Sequence, residues 1–402
     1  VLLDDDLPPR TRRPAPRAGA HAPRVIPADS IPAEVLDQDA LRVLSRLVRQ
    51  GHEAYLVGGC VRDLLIGRRP KDYDVATSAH PRQIKRLFRN GRIIGRRFRL
   101  VHIYYGSHIV ETATFRRDPP RLQDADFEPR PDEVEGGEIH PDEFDDLLIT
   151  EDNEFGTAEE DARRRDFTVN ALFLDPLENR ILDYVGGLDD LEAGVLRTIG
   201  DPRKRIAEDP VRILRAIKFA TRLGFRIEER TWEAMCELAP RLSRSAPPRV
   251  LEEILRLMRS GTALGAFRMM RASGALRVIL PQVDAYLGSK DDALAQERAD
   301  GFWRLLEALD NDVHGGFEPS TALCLALLFL RIVEREAFPD TRTLPGPPPD
   351  LVTVTGEVLE ALAIETRLPR REVNRARRII LNQRRFTQAS TNRPASSFST
   401  GA

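Results

Sequence analysis

The spacing of apolar residues along the chain predicts where its helices and strands lie. Apolar side chains at positions 41, 44, 47 and 48 repeat at the interval of an amphipathic helix that ends at Gly51. Short apolar runs bounded by glycine, proline or polar residues then predict strands, and the segments between them predict short helices. The predicted strands are 54–57, 72–75, 93–94, 100–105, 108–114 and 168–174, and the predicted helices between them are 61–66 and 81–89.

Helical spacing replaces the strand pattern after residue 187. Apolar residues at 211, 214 and 217, and again at 251, 254, 255 and 258, recur at three- and four-residue intervals. A proline-rich stretch at 344–350 interrupts the helices, and residues 370–384 predict one more, basic helix. The pattern therefore indicates an α/β domain, a small mixed sheet with flanking helices, followed by all-helical domains.

Three segments show no apolar periodicity. Residues 1–36 are rich in Pro, Arg and Ala and predict a disordered leader, because they offer too little apolar surface to bury. Residues 118–157 lie between two predicted strands, contain five prolines and predict a long acidic surface loop. Residues 386–402 are polar and predict a disordered tail.

The chain length, the longest apolar run and the spacing of the cysteines argue against several classes of protein. A chain of 402 residues can form two or three domains with a buried core. The longest apolar run, 322–330, is too short to cross a bilayer, and the first residues do not resemble a signal peptide. Membrane insertion and secretion are therefore not expected, and a cytoplasmic location is. Cys60, Cys236 and Cys324 form no CxxC pair, which argues against a disulfide framework or a structural zinc site.

The formal net charge of −2 conceals a strong segregation of charge. Residues 118–161 hold 18 acidic residues and two arginines, whereas residues 201–280 hold 17 basic and nine acidic residues. A basic segment favours contact with nucleic acid. The alternative for any one charge run is a solvated surface, so charge alone does not decide the function.

Two glycines and two aspartates form the first candidate site. Gly58 and Gly59 stand between a predicted strand and a predicted helix, where missing side chains would let a phosphate approach the backbone amides, although glycine pairs more often only form turns. Asp72 and Asp74 are two apart on a predicted strand, so their carboxylates would project from one face. Their repulsion favours a bound cation, and carboxylate oxygens suit Mg²⁺. The alternative is an exposed strand end.

A third carboxylate, Glu111, interrupts the otherwise apolar strand 109–115. It either faces solvent or needs a partner, because burial of an unpaired charge is costly. Together with Asp72, Asp74 and the two glycines, it supplies what two-metal phosphoryl transfer requires: one ion beside the attacking hydroxyl and one beside the triphosphate.

Five short motifs follow one another along the chain. They are 57–63 (VGGCVRD) with 72–74 (DYD), then 164–172 (RRDFTVNAL), 183–187 (DYVGG), 208–212 (EDPVR) and 247–253 (PPRVLEE). In sequence and order they resemble the motifs of class II template-independent RNA nucleotidyltransferases, a family that holds CCA-adding enzymes and bacterial poly(A) polymerases. The resemblance implies a nucleotidyltransferase head with helical neck and body domains, two Mg²⁺ ions held by Asp72, Asp74 and Glu111, ATP as a substrate, and RNA 3′ ends as partners.

The resemblance also implies roles for individual residues. The triphosphate and sugar would be contacted by Gly58, Gly59, Arg62 and Asp63, and the ribose 2′-hydroxyl by Arg165 and Asp166. The edge of the base would be contacted by Asp209 and Arg212. Asp166 would also lie near the catalytic centre, with Asp72, Asp74 and Glu111. Asp209 and Arg212 are three apart on a predicted helix, which would set a hydrogen-bond acceptor beside a guanidinium. The alternative for them is a simple intrahelical ion pair. Arg249 and Glu253 resemble a motif that supports the base-reading helix, or form an ordinary i, i+4 pair.

One further motif bears on which branch of the family this chain resembles. Residues 93–103 (IIGRRFRLVHI) resemble the signature that separates bacterial poly(A) polymerases from CCA-adding relatives, and 152–156 and 159–163 are also polymerase-like. This implies a monomeric polynucleotide adenylyltransferase that adds AMP from ATP to RNA 3′ ends. CCA addition to tRNA is the alternative, and an RNA-binding protein with a relict head is the hypothesis from another class.

The resemblance and the element pattern together imply a domain order. The expected domains are a catalytic head at 37–185, a helical neck for base recognition and RNA binding at 186–275, and a helical body at 276–385.

Overall fold

The first part of the chain is built on a mixed β-sheet that has eight strands within the described residues. The computed structural model describes residues 22–95, 100–117, 154–288, 293–338, 350–366 and 368–391. The strands are β1 (Arg24–Pro27), β2 (Ala54–Val57), β3 (Asp74–Thr77), β4 (Gly91–Ile94), β5 (Leu100–Tyr105), β6 (His108–Thr114), β7 (Leu172–Asp175) and β8 (Arg180–Asp183). Across the sheet the order is β1-β8-β7-β2-β3-β6-β5-β4; β3 and β6 are parallel, and the other neighbours are antiparallel.

Short helices lie between these strands or follow them. They are α1 (Gln38–Arg49), α2 (Gly59–Leu65), α3 (Pro81–Leu87), α4 (Ala158–Arg164), α5 (Gly187–Glu192) and α6 (Pro202–Glu208). The starts of α1 and α4 carry ordinary capping signals. Asp37 accepts a hydrogen bond from the Ala40 N–H at 2.7 Å, and Thr157 and Glu160 form a reciprocal capping box at the start of α4.

Alternating residues along each strand face two separate apolar clusters. Leu56, Val75 and Val110 belong to the cluster that includes buried residues of α1, α2 and α3, on what we call the α1 face. Tyr55 and Ala76 belong to a second cluster that includes Ala158 and Ala162 of α4, on the α4 face. Both faces of the sheet are therefore covered, and each strand residue is assigned to one face by its position.

The strand predictions agree with the structure in most places, but β4 begins at Gly91 rather than at residue 93, and β8 was not predicted. Strands β2, β5 and β6 have the predicted bounds. Strand β3 begins at Asp74, so Asp72 lies before the strand rather than on it. Residues Thr168–Asn170 form a 3₁₀ turn, and β7 begins only at Leu172.

The expectation of a disordered leader is wrong for its described part, residues 22–36. Strand β1 pairs antiparallel with β8, with Val25 opposite Leu182. Ala28 and Ile31, which follow it, are buried in the cluster of the α1 face. Periodicity could not reveal this segment, because a four-residue edge strand is held mainly by backbone hydrogen bonds to its neighbour. The predicted acidic loop lies outside the described residues from 118 to 153.

The DYVGG motif forms a turn held by one buried carboxylate. Asp183 is 4% exposed and accepts hydrogen bonds from the backbone N–H groups of four residues, 185–188, at 2.9–3.0 Å. Gly186 has φ +80°, and a Cβ added to Gly187 would come within 2.3 Å of the Thr168 carbonyl oxygen. Both glycines are therefore required by the backbone, since one needs a left-handed conformation and the other a close contact.

The described chain divides into two compact units, one of Val1–Asp209 with Phe225–Trp232 and one of Pro210–Gly224 with Glu233–Ala402. The first unit holds the sheet and also β9 (Val195–Leu196) and β10 (Arg226–Ile227), which form a parallel pair; it thus extends beyond residue 185, where the predicted head ends. The remaining helices are α7 (Arg212–Leu223), α8 (Glu229–Leu238), α9 (Pro247–Met258), α10 (Ala263–Ala272), α11 (Ala275–Ile279), α12 (Pro281–Leu287), α13 (Ala293–His314), α14 (Thr321–Ala337), α15 (Leu351–Thr366) and α16 (Arg370–Thr391).

The second unit is helical, as the periodicity predicts. None of the helices in the described ranges is long and apolar enough to cross a membrane. Helix α16 continues to Thr391, so the prediction of a disordered tail from residue 386 is wrong for 386–391; residues 392–402 lie outside the described ranges.

A buried glutamate fastens two helices of the second unit. Glu253 on α9 is 5% exposed and lies 2.6 Å from Lys218 of α7, 2.9 Å from Arg256 and 3.9 Å from Arg215. Burial lowers the pKa of the Lys218 ammonium, with Arg215 acting in the same direction, while Glu253 opposes the shift. Glu253 thus supports α7, the helix that begins with Arg212, as expected for the neck motif.

We expect Glu253→Ala to destabilise the protein by about 3–5 kcal/mol, because it leaves the buried Lys218 ammonium without its carboxylate partner. The neighbouring Glu252 is the matched control, since it also pairs with Arg256 but its side chain is 61% exposed. Glu252→Ala should cost less than about 1 kcal/mol. Denaturant unfolding of both variants measures the difference, and equal losses would contradict the anchoring role of Glu253.

Candidate active site

A row of polar side chains crosses the α4 face of the sheet. In the parallel pairing of β3 with β6, Val75 lies opposite Thr112, and one residue earlier the same register sets Asp74 beside Glu111. Glu111 in turn lies opposite His102 of β5, and His102 opposite Arg92 of β4. Asp74 and Glu111 alternate with Val75 and Val110, which face α1, so both carboxylates are on the α4 face.

Asp72 joins this face although it precedes β3. Asp72 and Asp74 are exposed, whereas Tyr73 between them is 8% exposed and its hydroxyl donates to the Val35 carbonyl. The buried tyrosine ring thus fixes one side of the segment, and the two carboxylates project from the other. The charge of Asp72 acts on Asp74, and Asp72 is a loop residue rather than the predicted strand residue.

The crowding of these carboxylates changes the acidity of Asp74. Its side chain reaches solvent, but protein surrounds it on most sides, since β3 is an interior strand. The resulting loss of hydration, together with the charges of Glu111 and Asp72, raises the pKa of Asp74 from its ordinary value of 3.8 to about 6, and the Arg165 charge opposes the shift. Asp74 therefore lacks a full counter-charge in the protein alone.

The donor set fits a hard divalent cation. Asp72, Asp74 and Glu111 offer only carboxylate oxygens, the ligands that Mg²⁺ prefers. The ligand atoms of these three residues do not all lie within 4.8 Å of one another. Among the described residues, only Asp37, Asp39 and His108 form a group that close. The second trio is on the opposite side of the sheet from the carboxylate row. Asp37 caps α1, and His108 is on the α1 face with Val110.

The Arg165 guanidinium lies close to the backbone at Gly58, beside the carboxylate row. It follows Val57, which lies opposite Asp74, and it has φ +77°. A Cβ at Gly58 would lie 3.0 Å from the Arg165 guanidinium. Arg165 is oriented by Asp161, which accepts at 2.9 and 3.2 Å, and its guanidinium lies 5.3 Å from the centre of the Phe173 ring. Glycine is thus required at 58 by its backbone conformation, and a side chain there would also crowd the Arg165 guanidinium.

A buried polar chain connects α2 to Asp166. The Arg62 guanidinium is 2% exposed and donates to Asp63 at 2.6 and 2.9 Å and to the Asn170 side-chain oxygen. With its oxygen held in this way, the Asn170 amide donates from its nitrogen to Asp166 at 3.1 Å, and the Phe167 N–H donates to the same Asp166 oxygen at 2.9 Å. Arg62 and Asp63, predicted as nucleotide contacts, therefore occupy an interior supporting position.

The predicted helical pairing of Asp209 with Arg212 is corrected by the structure. Helix α6 ends at Glu208, Asp209 is its C-cap with φ −149°, and α7 begins at Arg212. Pro210 separates the two helices, because it cannot donate the N–H that a continuous helix would need there. Arg212 is 9% exposed.

Two further residues, His102 and Cys60, lie beside the row, and parts of two predicted motifs lie outside the described residues. His102 lies 3.5 Å from Glu111, as a structural partner on the neighbouring strand. Residues 96–99 of the predicted polymerase signature, and 152–153 of another such motif, lie outside the described residues. Cys60 is no candidate nucleophile, because burial and the charge of Asp74 raise the pKa of its thiol to about 12.

Sequence reasoning missed Asn170 and Asp161, which orient Asp166 and Arg165. Both lie inside or just before the RRDFTVNAL motif, so their position was visible. Their function was not, because it depends on contacts that cross from α2 and α4 to the following turn.

Two segments of the chain match models of known protein families. Residues 54–197 match the family model of the poly A polymerase head domain, and residues 224–287 match the model described as the probable RNA and SrmB-binding site of polymerase A.

Curated relatives include both enzyme types of the predicted family. The poly(A) polymerase I of Haemophilus influenzae is 44% identical over 64% of this chain and 55% of its own length. That of Salmonella typhi is 39% identical over 76% of this chain and 63% of its own length. The CCA-adding enzyme of Lactobacillus helveticus is 36% identical over 54% of this chain and 49% of its own length. The chain thus spans 55–63% of the two polymerases.

Solved structures share the fold. The Thermotoga maritima CCA-adding enzyme complexed with tRNA aligns with a TM-score of 0.58 at 20% identity, covering 91% of this chain and 76% of that one. The Bacillus stearothermophilus CCA-adding enzyme in complex with CTP aligns with a TM-score of 0.55 at 23% identity, covering 87% and 82%.

The acidity of Asp74 predicts how stability changes with pH in metal-free buffer. Its folded-state pKa is raised, so folding favours the protonated form, and stability falls as pH rises between 3.8 and about 6. Asp74→Asn should therefore raise the melting temperature at pH 8 with EDTA and have little effect near pH 3.5. Added Mg²⁺ should raise the melting temperature of the wild type more than that of Asp74→Asn. A lower melting temperature of Asp74→Asn at pH 8 without metal would contradict this account.

Proposed function

Because this chain belongs to the class II template-independent RNA nucleotidyltransferases, we propose that it is a polynucleotide adenylyltransferase that adds AMP from ATP to RNA 3′ ends. The observation that carries the proposal is the adjacent placement of Asp74 and Glu111 on the sheet face where Arg165 also lies. The arrangement combines a carboxylate cluster for metal binding with an oriented cation for an anionic substrate.

Asp72, Asp74 and Glu111 would hold two Mg²⁺ ions. Bound there, the ions would lower the pKa of the attacking hydroxyl and would neutralise charge on the phosphates. The RNA 3′-hydroxyl then attacks the α-phosphate of ATP, and pyrophosphate leaves. The protein contributes a rigid frame for this reaction, since Asp74 and Glu111 are fixed by paired strands and Asp72 by the anchored Tyr73.

Arg165 and Asp166 would contact the ribose. Asp161 fixes the guanidinium of Arg165, while Asn170 fixes the carboxylate of Asp166, so both groups are oriented before a nucleotide binds. An oriented carboxylate can accept a hydrogen bond from the 2′-hydroxyl, which deoxyribonucleotides lack. The site would therefore favour ribonucleotides. Asp166 is also retained as a candidate catalytic residue.

The triphosphate and base contacts are proposed on the family motifs. Gly58 and Gly59 would leave room for the phosphates, with Arg62 and Asp63 supporting them from the interior. Asp209 and Arg212 would pair with the edge of the adenine, as acceptor and donor respectively. In the domain order we propose, the catalytic head at 37–185 precedes a helical neck at 186–275 and a body at 276–385, whose basic residues would bind RNA.

Addition of AMP is favoured over CCA addition by the relatives. Identity is 44% over 260 residues with one poly(A) polymerase I, and 34–37% over 218–285 residues with three CCA-adding enzymes. CCA addition remains the second candidate, because the same carboxylates would serve both reactions. A relict, non-catalytic head is disfavoured by the intact Asp72 and Asp74.

Primer extension decides between these functions. Purified protein receives either an unstructured RNA or a tRNA that lacks its terminal CCA, each with single nucleotides and Mg²⁺. Long tails from ATP alone support adenylyl transfer, whereas addition of C, C and A followed by arrest supports the second candidate. Asp74→Ala should abolish extension and leave RNA binding intact; extension that survives this change would overturn the proposed site.

We expect Asn170→Ala to weaken the preference for ATP over dATP by about tenfold, because loss of its hydrogen bond leaves Asp166 less well oriented. Ratios of kcat/KM for the two nucleotides measure the effect. Asn311→Ala, at an exposed position of α13, is the control. An unchanged ratio in Asn170→Ala would show that Asn170 does not position Asp166.

A further inference from the structure

A basic depression of about 370 Å³ lies at the edge of the sheet, apart from the carboxylate row. Its lining comes from α3, the turn that follows it, β4 and β5. The lining residues are Lys85, Arg89, Asn90, Gly91, Arg92 and Tyr104. A space of this size is within the range of small-molecule sites, which begins at roughly 300 Å³.

The charge of this depression is positive and has no acidic counterpart in its lining. Lys85 donates hydrogen bonds to the Gly91 carbonyl at 2.6 Å and the Arg89 carbonyl at 3.3 Å, which shapes the turn between α3 and β4. Arg89 and Arg92 are exposed, and the described lining of the depression offers neither of them a carboxylate. Two guanidinium groups are thus available to an anion.

Tyr104 adds an aromatic surface between these charges. Asn90 holds it by donating to the Tyr104 carbonyl at 2.6 Å, and the half-buried ring lies 5.4 Å from the Arg92 guanidinium. Aromatic rings and guanidinium planes are the surfaces on which the bases of single-stranded RNA stack. An anion site joined to a stacking surface matches a nucleotide better than a simple phosphate.

The depression lies around the β4 edge of the sheet, and two of its lining residues are on the face of the carboxylate row, whereas Lys85 comes from α3 on the α1 face. Tyr104 is two residues from His102 on β5, so both side chains project from the α4 face, and Arg92 lies opposite His102. From Asp74 to Arg92 the sheet advances three strands, which is about 14 Å at the usual strand spacing of about 4.8 Å. A stacked strand with a rise of about 3.4 Å per nucleotide spans that distance in about four nucleotides.

We propose that this depression binds an upstream nucleotide of the RNA substrate, with its phosphodiester at Arg89 and Arg92 and its base against Tyr104. The proposal rests on the proposed function, because it assumes that an RNA 3′ end is held at Asp74.

Primers of two lengths test the subsite. An adenosine dinucleotide is too short to reach from Asp74 to Arg92, whereas an octanucleotide is long enough. In the double variant Arg89→Ala/Arg92→Ala we expect the KM for the octanucleotide to rise roughly tenfold, with the dinucleotide KM and the ATP KM unchanged. Direct octanucleotide binding should also lose about 0.7 of its slope in a plot of log affinity against log salt for each phosphate contact removed.

The matched control removes the same charge from the neighbouring helix α3. Arg82 and Arg86 are exposed on α3 and do not line the depression. Arg82→Ala/Arg86→Ala should therefore leave octanucleotide binding near the wild-type value. Tyr104→Phe should retain binding, and Tyr104→Ala should weaken it by roughly tenfold through lost stacking.

Three outcomes would overturn the subsite. Equal losses in both double variants would mean a general charge effect, equal losses for both primers would mean damage to the carboxylate row, and a rise in the ATP KM alone would mean that the depression binds free nucleotide. If the wild type extends neither primer, the proposed function fails, and octanucleotide binding by the two double variants still tests the depression on its own.

Discussion

Repulsion between carboxylates on adjacent strands is the constraint on which this structure depends. The parallel pairing of β3 with β6 sets Asp74 beside Glu111 at the spacing of neighbouring strands, and Asp72 adds a third negative charge. Arg165 offsets only part of this charge, and the pKa of Asp74 remains raised to about 6. Such an arrangement is unfavourable in the isolated protein and becomes favourable only with a bound cation, which is why we place the chemistry there.

The surrounding fold keeps the charges in place by covering both faces of the sheet. The α1 face is closed by three helices, whereas the α4 face combines an apolar cluster with the polar row. Strand alternation separates these roles, since Val75 and Val110 are buried next to residues that must stay accessible. Two glycines complete the frame: Gly58 admits the Arg165 guanidinium, and Gly187 admits the Thr168 carbonyl.

Orientation at the site comes from groups that would not themselves contact a substrate. Asp161 holds Arg165, and the pair Arg62 and Asn170 holds Asp166. These bonds are buried or half-buried, where hydrogen bonds to charged groups are strong and their loss is costly. In the second unit Glu253 acts in a comparable way on α7, because its buried carboxylate is shared by cations from two helices.

Much of this protein could be predicted from sequence, for identifiable reasons. Strands β2, β5 and β6 are short apolar runs with clear stops, so local pattern fixed their bounds, and the family motifs made Asp72, Asp74, Arg165 and Asp166 candidates, while an interrupted apolar strand made Glu111 one. Local pattern failed at β1, whose stability comes from pairing with a strand about 150 residues away. It also failed between Asp209 and Arg212. The three-residue spacing predicted one helix there, but the helix ends before Pro210.

What the sequence determined by itself is therefore the set of candidate residues and the order of most elements, because both are encoded in neighbouring residues. Only the tertiary structure decided that Asp74 and Glu111 are adjacent, that Arg62 is interior, and that Arg92 and Tyr104 share a depression on the same face. Those relations depend on strand register and on side chains brought together from distant positions, and a linear pattern does not specify either.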